Sequence, residues 1–374
     1  MVRKLTKKDV LAAVKGGAVF ASGGGAFYEH GLKMGYAALA LGDVNLISID
    51  ELPDDATLLT QTAIGAPAGT TDWQMQGKDY IKAVQLVQEQ ISEKIVGLWT
   101  PQNGKSSSTN GWITAAALGL YIVDVTGDIR AHPTGEMGDI GVNSRADYIT
   151  TQAAVGGKHE TGKYVEVVVK GASKTTSKIL RAASDQAGGF IATARHPLPV
   201  KYVKENAVIG GLSKAINLGY RILAAEGTGA KTVINNIAHA TQGEVITTGC
   251  VVSKEMSYTT EAFDIGKIQI VSDNGHRYTV YAQNEFMAIE NENGERISTY
   301  PDVQTIFRAE DAFPLSTNEI EKGQEVVLFK IDKSHFQLST GVKDAGVYPD
   351  VEKALGIELY KYSFPNDENT GGEE

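Results

Sequence analysis

Apolar residues recur at helical intervals in the first twenty positions and then gather into short runs, an alternation that continues to about residue 150. "LTKKDVLAAVKGGAVFAS" opens with Thr6 and Asp9 at capping-box spacing, so a helix is expected there, ending at Gly16 and Gly17. "DVNLISI" and "ATLLTQTAI" read as strands parted by the turn "DELPDD". In "GKDYIKAVQLVQEQI", Tyr80, Val84, Val87 and Ile91 share one helical face. "KIVGLW" and "YIVDV" read as strands on either side of a helix, "NGWITAAALGL", with Asn110 as its expected cap. Strands alternating with helices predict an α/β layer with a mostly parallel or mixed sheet.

Beyond that point "KYVEVVVKG" reads as a strand, and helices are expected from Lys174 to Ser184, over "GLSKAINLGYRILAAE" and around "AKTVINNIAHA". From about Gly243 the period shortens to two, with "DNG" and "ENG" as hairpin turns. The expected organisation is an α/β N-terminal domain over 1–162 and a C-terminal domain over 163–374. The second contains an antiparallel β-rich module at about 243–335, a small barrel or sandwich. The polar tail "NDENTGGEE" is expected to be disordered.

Composition narrows the partners. The net charge of −10, without a Lys/Arg stripe beyond "VRKLTKK", disfavours nucleic acid. No apolar run approaches the ~18 residues of a membrane span. The single cysteine, Cys250, and an N-terminus without the three-part layout of a signal peptide lead us to expect a cytoplasmic protein.

Four loops after strands or helices carry candidate chemistry. "SGGGAFYEHG" exposes backbone N–H groups at Gly23, Gly24 and Gly25 to an anion, or is a plain helix–strand connection. It lacks the Gly-Lys-Ser/Thr of a Walker loop and follows a helix, so no nucleotide cofactor is expected. "IGAP", with Gly65 and Ala66, follows one strand. "TPQNGKSSSTNG", with Asn103 and Asn110, follows another and reads as a polar wall for substrate amides. The densest charge follows Tyr121-Ile-Val, where Asp124, Asp128, Arg130, His132, Glu136 and Asp139 crowd a stretch spaced by glycine and proline. Charged strand ends are where α/β sheets hold their sites. His132 and Glu136 are suited to share a proton or to bind a divalent metal such as zinc, with His159 as a further ligand. Pro133 and Gly135 exclude the helical spacing of zincin motifs.

These motifs resemble a family. "QNEFMAIENENGERISTYPDVQTIF" followed by "PLSTNEIEKGQEVVLFKI" is similar to the C-terminal domain of the S-methyl thiohydantoin desulfurases, which are associated with hydantoinase/oxoprolinase proteins. The shared elements are Gln283-Asn284-Glu285, Gly294, Pro301-Asp302 and Thr317 to Gly323. "SGGGAFYEHG" and "IGAP" resemble the family's N-terminal loops. "VDVTGDIRAHPTGEMG" resembles its Asp-x-Asp-Gly-x-Gly-Arg-Ala-x-Pro-Glu segment, with Thr126 and Ile129 as departures and Thr134-Gly135 inserted before Glu136. "LWTPQNGKSSSTNG" replaces a Glu-x-Gly-Gly-x-Asn loop, so the chain reads as a divergent member.

The resemblance implies hydrolytic removal of sulfide or methanethiol from a thiohydantoin-type ring, as in breakdown of ergothioneine-like histidine derivatives. In that chemistry Arg130 would bind a carboxylate arm or developing charge, and Asp124, His132 and Glu136 would act as general base or metal ligands. Two alternatives stand beside it, a non-catalytic partner subunit of a hydantoinase-type enzyme and a metal-dependent cyclic amide hydrolase. A homo-oligomer is expected.

Overall fold

The chain divides its strands between two sheets. The structure, a computed structural model, describes residues 2–66 and 69–367. Among the described residues the larger sheet has nine strands: β1 (Arg3–Lys4), β2 (Asn45–Ile47), β3 (Thr57–Gly65), β4 (Ile95–Gln102), β5 (Tyr121–Asp128), β6 (Thr150–Gly156), β7 (Val165–Gly171), β8 (Phe190–Pro199) and β9 (Val208–Ile209). They lie in the order β1-β2-β5-β4-β3-β8-β6-β7, with β9 on β5. The run β2-β5-β4-β3 is parallel, whereas β8 is antiparallel to both β3 and β6, so the sheet is mixed.

The helices beside it follow the expected faces. They are α1 (Lys7–Phe20), α2 (Tyr28–Leu41), α3 (Gly77–Gln88), α4 (Trp112–Leu118), α5 (Ser173–Gln186), α6 (Val200–Asn206), α7 (Gly211–Ala225) and α8 (Ala230–Thr241). The capping box at Thr6 and Asp9 is formed, and Tyr80, Val84 and Val87 are buried on α3. Gly16 and Gly17 do not end α1. A Cβ on Gly16 would lie 1.8 Å from Ala215 O, and one on Gly219 would lie 1.8 Å from Ala12 O. These glycines let α1 and α7 touch backbone to backbone, and that packing offsets their low helix propensity. Asn110 is not the α4 cap either. Gly111 holds that position, and Asn110 Oδ1 accepts from Tyr80 Oη at 3.2 Å.

Residues 244–331 form a second, wholly antiparallel sheet that curls into a half-barrel. Its strands are β10 (Glu244–Tyr258), β11 (Asp264–Ser272), β12 (Arg277–Gln283), β13 (Glu285–Asn291), β14 (Arg296–Thr299), β15 (Val303–Arg308) and β16 (Glu325–Ile331), ordered β14-β13-β12-β11-β10-β16-β15. The "DNG" and "ENG" turns join β11 to β12 and β13 to β14, with Gly275 and Gly294 at φ +88° and +77°. No residue other than glycine adopts such angles without strain. The larger sheet takes β7, β8 and β9 from beyond residue 162, so it draws on both sides of the expected domain boundary. Residues 368–374 of the polar tail lie outside the described residues.

Hydrogen bonds tie the glycine-rich turn and the end of α1 to the half-barrel. Phe286 N donates to Ser22 O at 2.6 Å, Thr317 N to Gly23 O at 2.8 Å, and Thr305 Oγ1 to Val19 O at 2.8 Å. That turn leads into α2, so it connects two helices and not a helix to a strand. It is fixed against the half-barrel just where the parallel strands end.

Candidate functional site

Ligands of α/β sheets sit beyond the carboxyl ends of the parallel strands. Here a cleft occupies that place, closed from the far side by the half-barrel. Residues 24–26, 62–65, Gln102, Ser107, 132–135, Arg181, Phe190, Arg195, Asn284 and Glu285 line it.

Glu285 comes from the half-barrel. It opens β13 directly after Asn284, whose left-handed φ of 56° makes the tight bend between β12 and β13. Asparagine tolerates that conformation better than most residues, and here two bonds to Asp264 fix it: Asn284 N donates to Asp264 O at 2.7 Å, and Asn284 Oδ1 accepts from Asp264 N at 2.9 Å. The Glu285 side chain reaches back to the glycine-rich turn, where a Cβ on Gly24 would lie 1.9 Å from Oε1. Only glycine lets the turn close this far onto a carboxyl group. Burial pushes the Glu285 carboxyl up to about 8, against the pull of Arg130, Arg181 and the Gly25 backbone.

Two arginines line the same cleft. Arg195, on β8, donates from Nε to Gln152 Oε1 at 2.7 Å and from a terminal nitrogen to Ser177 Oγ. Gln152 in turn donates to Thr176 Oγ1 at 2.7 Å, so α5 braces the whole group. Gly135 lies on the guanidinium, with a notional Cβ 2.5 Å from one terminal nitrogen. Arg181, on α5, donates to Pro133 O at 2.9 Å and Ala262 O at 3.1 Å, and stacks 4.0 Å from the centre of the Phe263 ring. Burial draws it down to about 10, with Glu136 and Glu285 opposing. Asp139 lies behind Arg195, anchored by Ser173 Oγ at 2.7 Å and pushed up to about 8 by burial.

Three cleft-lining side chains carry buried polar atoms without a hydrogen bond among the described residues: Glu285 Oε2, His132 Nδ1 and Thr134 Oγ1. Buried polar atoms are paired in the great majority of cases, so these are the groups a ligand would engage. His132 Nδ1 does lie 3.7 Å from Asp128 Oδ2, and its backbone N–H donates to Gln102 Oε1 at 3.1 Å.

Of the residues singled out in the sequence, His132, Gly24, Gly25 and Gly65 line this cleft. Glu136 lies outside the lining, with its charge acting on Arg181 and Arg195, and most of the others serve the scaffold. Asp124 Oδ1 accepts from Ser213 N at 2.9 Å and so caps α7. Arg130 is fully buried, and its guanidinium donates to Ala131 O, Asp302 O and Phe286 O, with the Tyr300 ring 5.1 Å away. Every one of those bonds joins the charged loop to the half-barrel or to itself, which leaves no fork for a substrate carboxylate. Asn103 ties Ile129 O to Gly211 O, and Gly23 packs on the Phe286 ring. Ala66 is buried beside the cleft without lining it.

His132, Glu136 and His159 are not brought together. His159 sits in the exposed β6–β7 turn, stacked 3.7 Å from Tyr164. Among the described residues no three His, Cys, Asp or Glu side chains converge as metal ligands. Sequence reasoning missed Glu285, Asn284, Arg181, Arg195 and Thr134 as site members, whereas Gln102 and Ser107 lie in the loop read as a polar wall. Glu285 had a signal in "QNE", a polar triplet ending a strand.

Comparison with known proteins agrees with this architecture. Residues 8–162 match the S-Me-THD-like N-terminal domain and residues 172–340 the S-Me-THD-like C-terminal domain. No curated protein matches the chain. An X-ray structure of a protein from Chromobacterium violaceum is similar at a TM-score of 0.72 and 19% identity, over 96% of this chain and 99% of that one. That likeness shows the fold alone. No helix among the described residues is long and apolar enough to cross a membrane. The paired matches span both halves in order, and the chain belongs to the S-Me-THD-like family, that of the S-methyl thiohydantoin desulfurases.

Proposed function

We propose that the protein is a hydrolase that removes the sulfur substituent from a thiohydantoin-type ring, with Glu285 as its proton-transfer group. The observation that carries this reading is the Glu285 carboxyl, raised to about 8 in a cleft walled by two arginines, with one oxygen free of hydrogen bonds. A carboxyl tuned to that range both takes and returns protons near neutral pH, which ordinary glutamates do not.

In the proposed reaction the Glu285 carboxylate removes a proton from water. The new C–O bond forms at the ring carbon between the two nitrogens, and the C=N electron pair moves onto nitrogen. As the adduct collapses, its hydroxyl proton passes to the ring nitrogen, the C=O forms, the C–S bond breaks, and the leaving thiolate takes the proton from Glu285. Ring plus water becomes hydantoin plus thiol. The guanidiniums of Arg181 and Arg195 supply positive potential for the charge that develops on the ring. His132 and Thr134 offer the remaining hydrogen bonds to its edge.

Thiol release from an S-methyl thiohydantoin, followed with a thiol-reactive dye, tests the reading. Glu285→Gln is expected to lower turnover by about 10²- to 10⁴-fold, the usual contribution of general acid–base catalysis, while ring binding measured by calorimetry persists. Equal turnover in the variant would remove Glu285 from the mechanism. Ring binding without thiol release in the wild type would favour the non-catalytic partner reading instead.

A further inference from the structure

Among the described residues, every outer edge of the two sheets except β7 is short or covered. β1 and β9 have two residues each and β14 four, while β15 is bridged through Phe307 to Pro314. The edge at β7 is different. Its seven residues, "VEVVVKG", pair with β6 alone among the described residues and leave a full edge of backbone groups open. Proteins normally blunt such an edge, because it is a template for pairing.

The side chains of β7 alternate. Val165, Val167 and Val169 are half-buried and pack with Ala183 of α5 against Leu180 and Ile191. Glu166, Val168 and Lys170 point the other way, with Val168 39% exposed. On α5, Ile179 is 44% exposed one turn before Ala183. Glu166 is oriented by Tyr164 Oη at 2.7 Å and Lys170 by Gln90 O at 3.3 Å.

We propose that β7 pairs antiparallel with β7 of a second copy of this chain, about a two-fold axis at Val168. The sequence is complementary to itself in that one register. Val168 meets the partner subunit's Val168 on the axis, Val167 meets the partner subunit's Val169, and Glu166 meets the partner subunit's Lys170 on both sides. Centring the pair on residue 166 or 170 would set like charges against each other, so charge selects the register. In a chain of net charge −10, this edge offers one acid and one base, and copies are not repelled there. The paired strands would continue the larger sheet across two subunits and extend the valine layer under α5. The proposal is independent of the catalytic reading.

Sedimentation of the full chain tests it. The wild type is expected to be a dimer that dissociates on dilution. Glu166→Lys places lysine opposite Lys170 twice and should give monomer, and Val168→Lys should do the same. Adding Lys170→Glu to Glu166→Lys restores opposite charges and should restore the dimer, a rescue that misfolding would not produce. A wild type that stays monomeric, single variants that remain dimeric, or a double variant that stays monomeric would each overturn the proposal.

Discussion

Glu285→Gln separates the titration of this carboxyl from every other acid in the chain. The folded protein holds the group at about 8, whereas its ordinary value is 4.5. An acid raised on folding binds more protons in the native state than in the unfolded one. Stability is therefore complete below the unfolded value and falls as pH rises towards the folded value, levelling off above it. Linkage between those two values gives a loss of roughly 3–4 kcal/mol between pH 5 and pH 8, at 1.36 kcal/mol per pKa unit. Glutamine is nearly isosteric and does not titrate, so the variant escapes that loss. Urea unfolding of both proteins at several pH values across this window measures the difference. The stability of the variant relative to wild type should grow by roughly 3–4 kcal/mol as pH rises. A difference that stays constant with pH would mean that Glu285 is ionised throughout, and the account of its proton transfer would fail with it.

Other changes separate scaffold from site. Arg130→Met removes a buried cation that satisfies three carbonyls. It should cost about 3–5 kcal/mol in urea unfolding, and a loss below about 1 kcal/mol would contradict the strut role. Gly24→Ala drives a methyl group into Glu285 Oε1. Because the carboxyl can swing away, the fold should survive while turnover drops about 100-fold, and wild-type rates would show that the closeness of the turn is irrelevant. Arg195→Lys loses the fork that engages Gln152 and Ser177. Its KM for the ring should rise at least about tenfold, and an unchanged KM would take Arg195 out of substrate binding. His159→Ala should leave turnover and metal content as they are, whereas a fall in both would reinstate the exposed β6–β7 turn as a metal ligand.

Local pattern made much of the fold legible. The periodicity in "GKDYIKAVQLVQEQI" and "GLSKAINLGYRILAAE" specifies which faces α3 and α7 bury, and the "DNG" and "ENG" turns place the hairpins of the half-barrel. What local pattern cannot carry is the meeting of distant segments. Gly16 reads as a helix breaker until α7 arrives against it. "FIATARHPLP" shows no clean period because β8 is buried between β3 and β6. The site suffers most from this. Charge density drew attention to Arg130 and Asp124, yet the first serves the seam between the sheets and the second caps α7. Glu285 lies about 260 residues from the turn that encloses it, and its altered acidity comes chiefly from burial there. His132 was legible, since it sits on the charged loop and also faces the cleft.

The most direct measurement is the pH dependence of kcat/KM for thiol release from an S-methyl thiohydantoin. With Glu285 as the base, kcat/KM should rise about tenfold per pH unit up to about 8 and level off above it, and Glu285→Gln should abolish the rise. Absence of thiol release at every pH, or a flat profile through that range, would contradict the account.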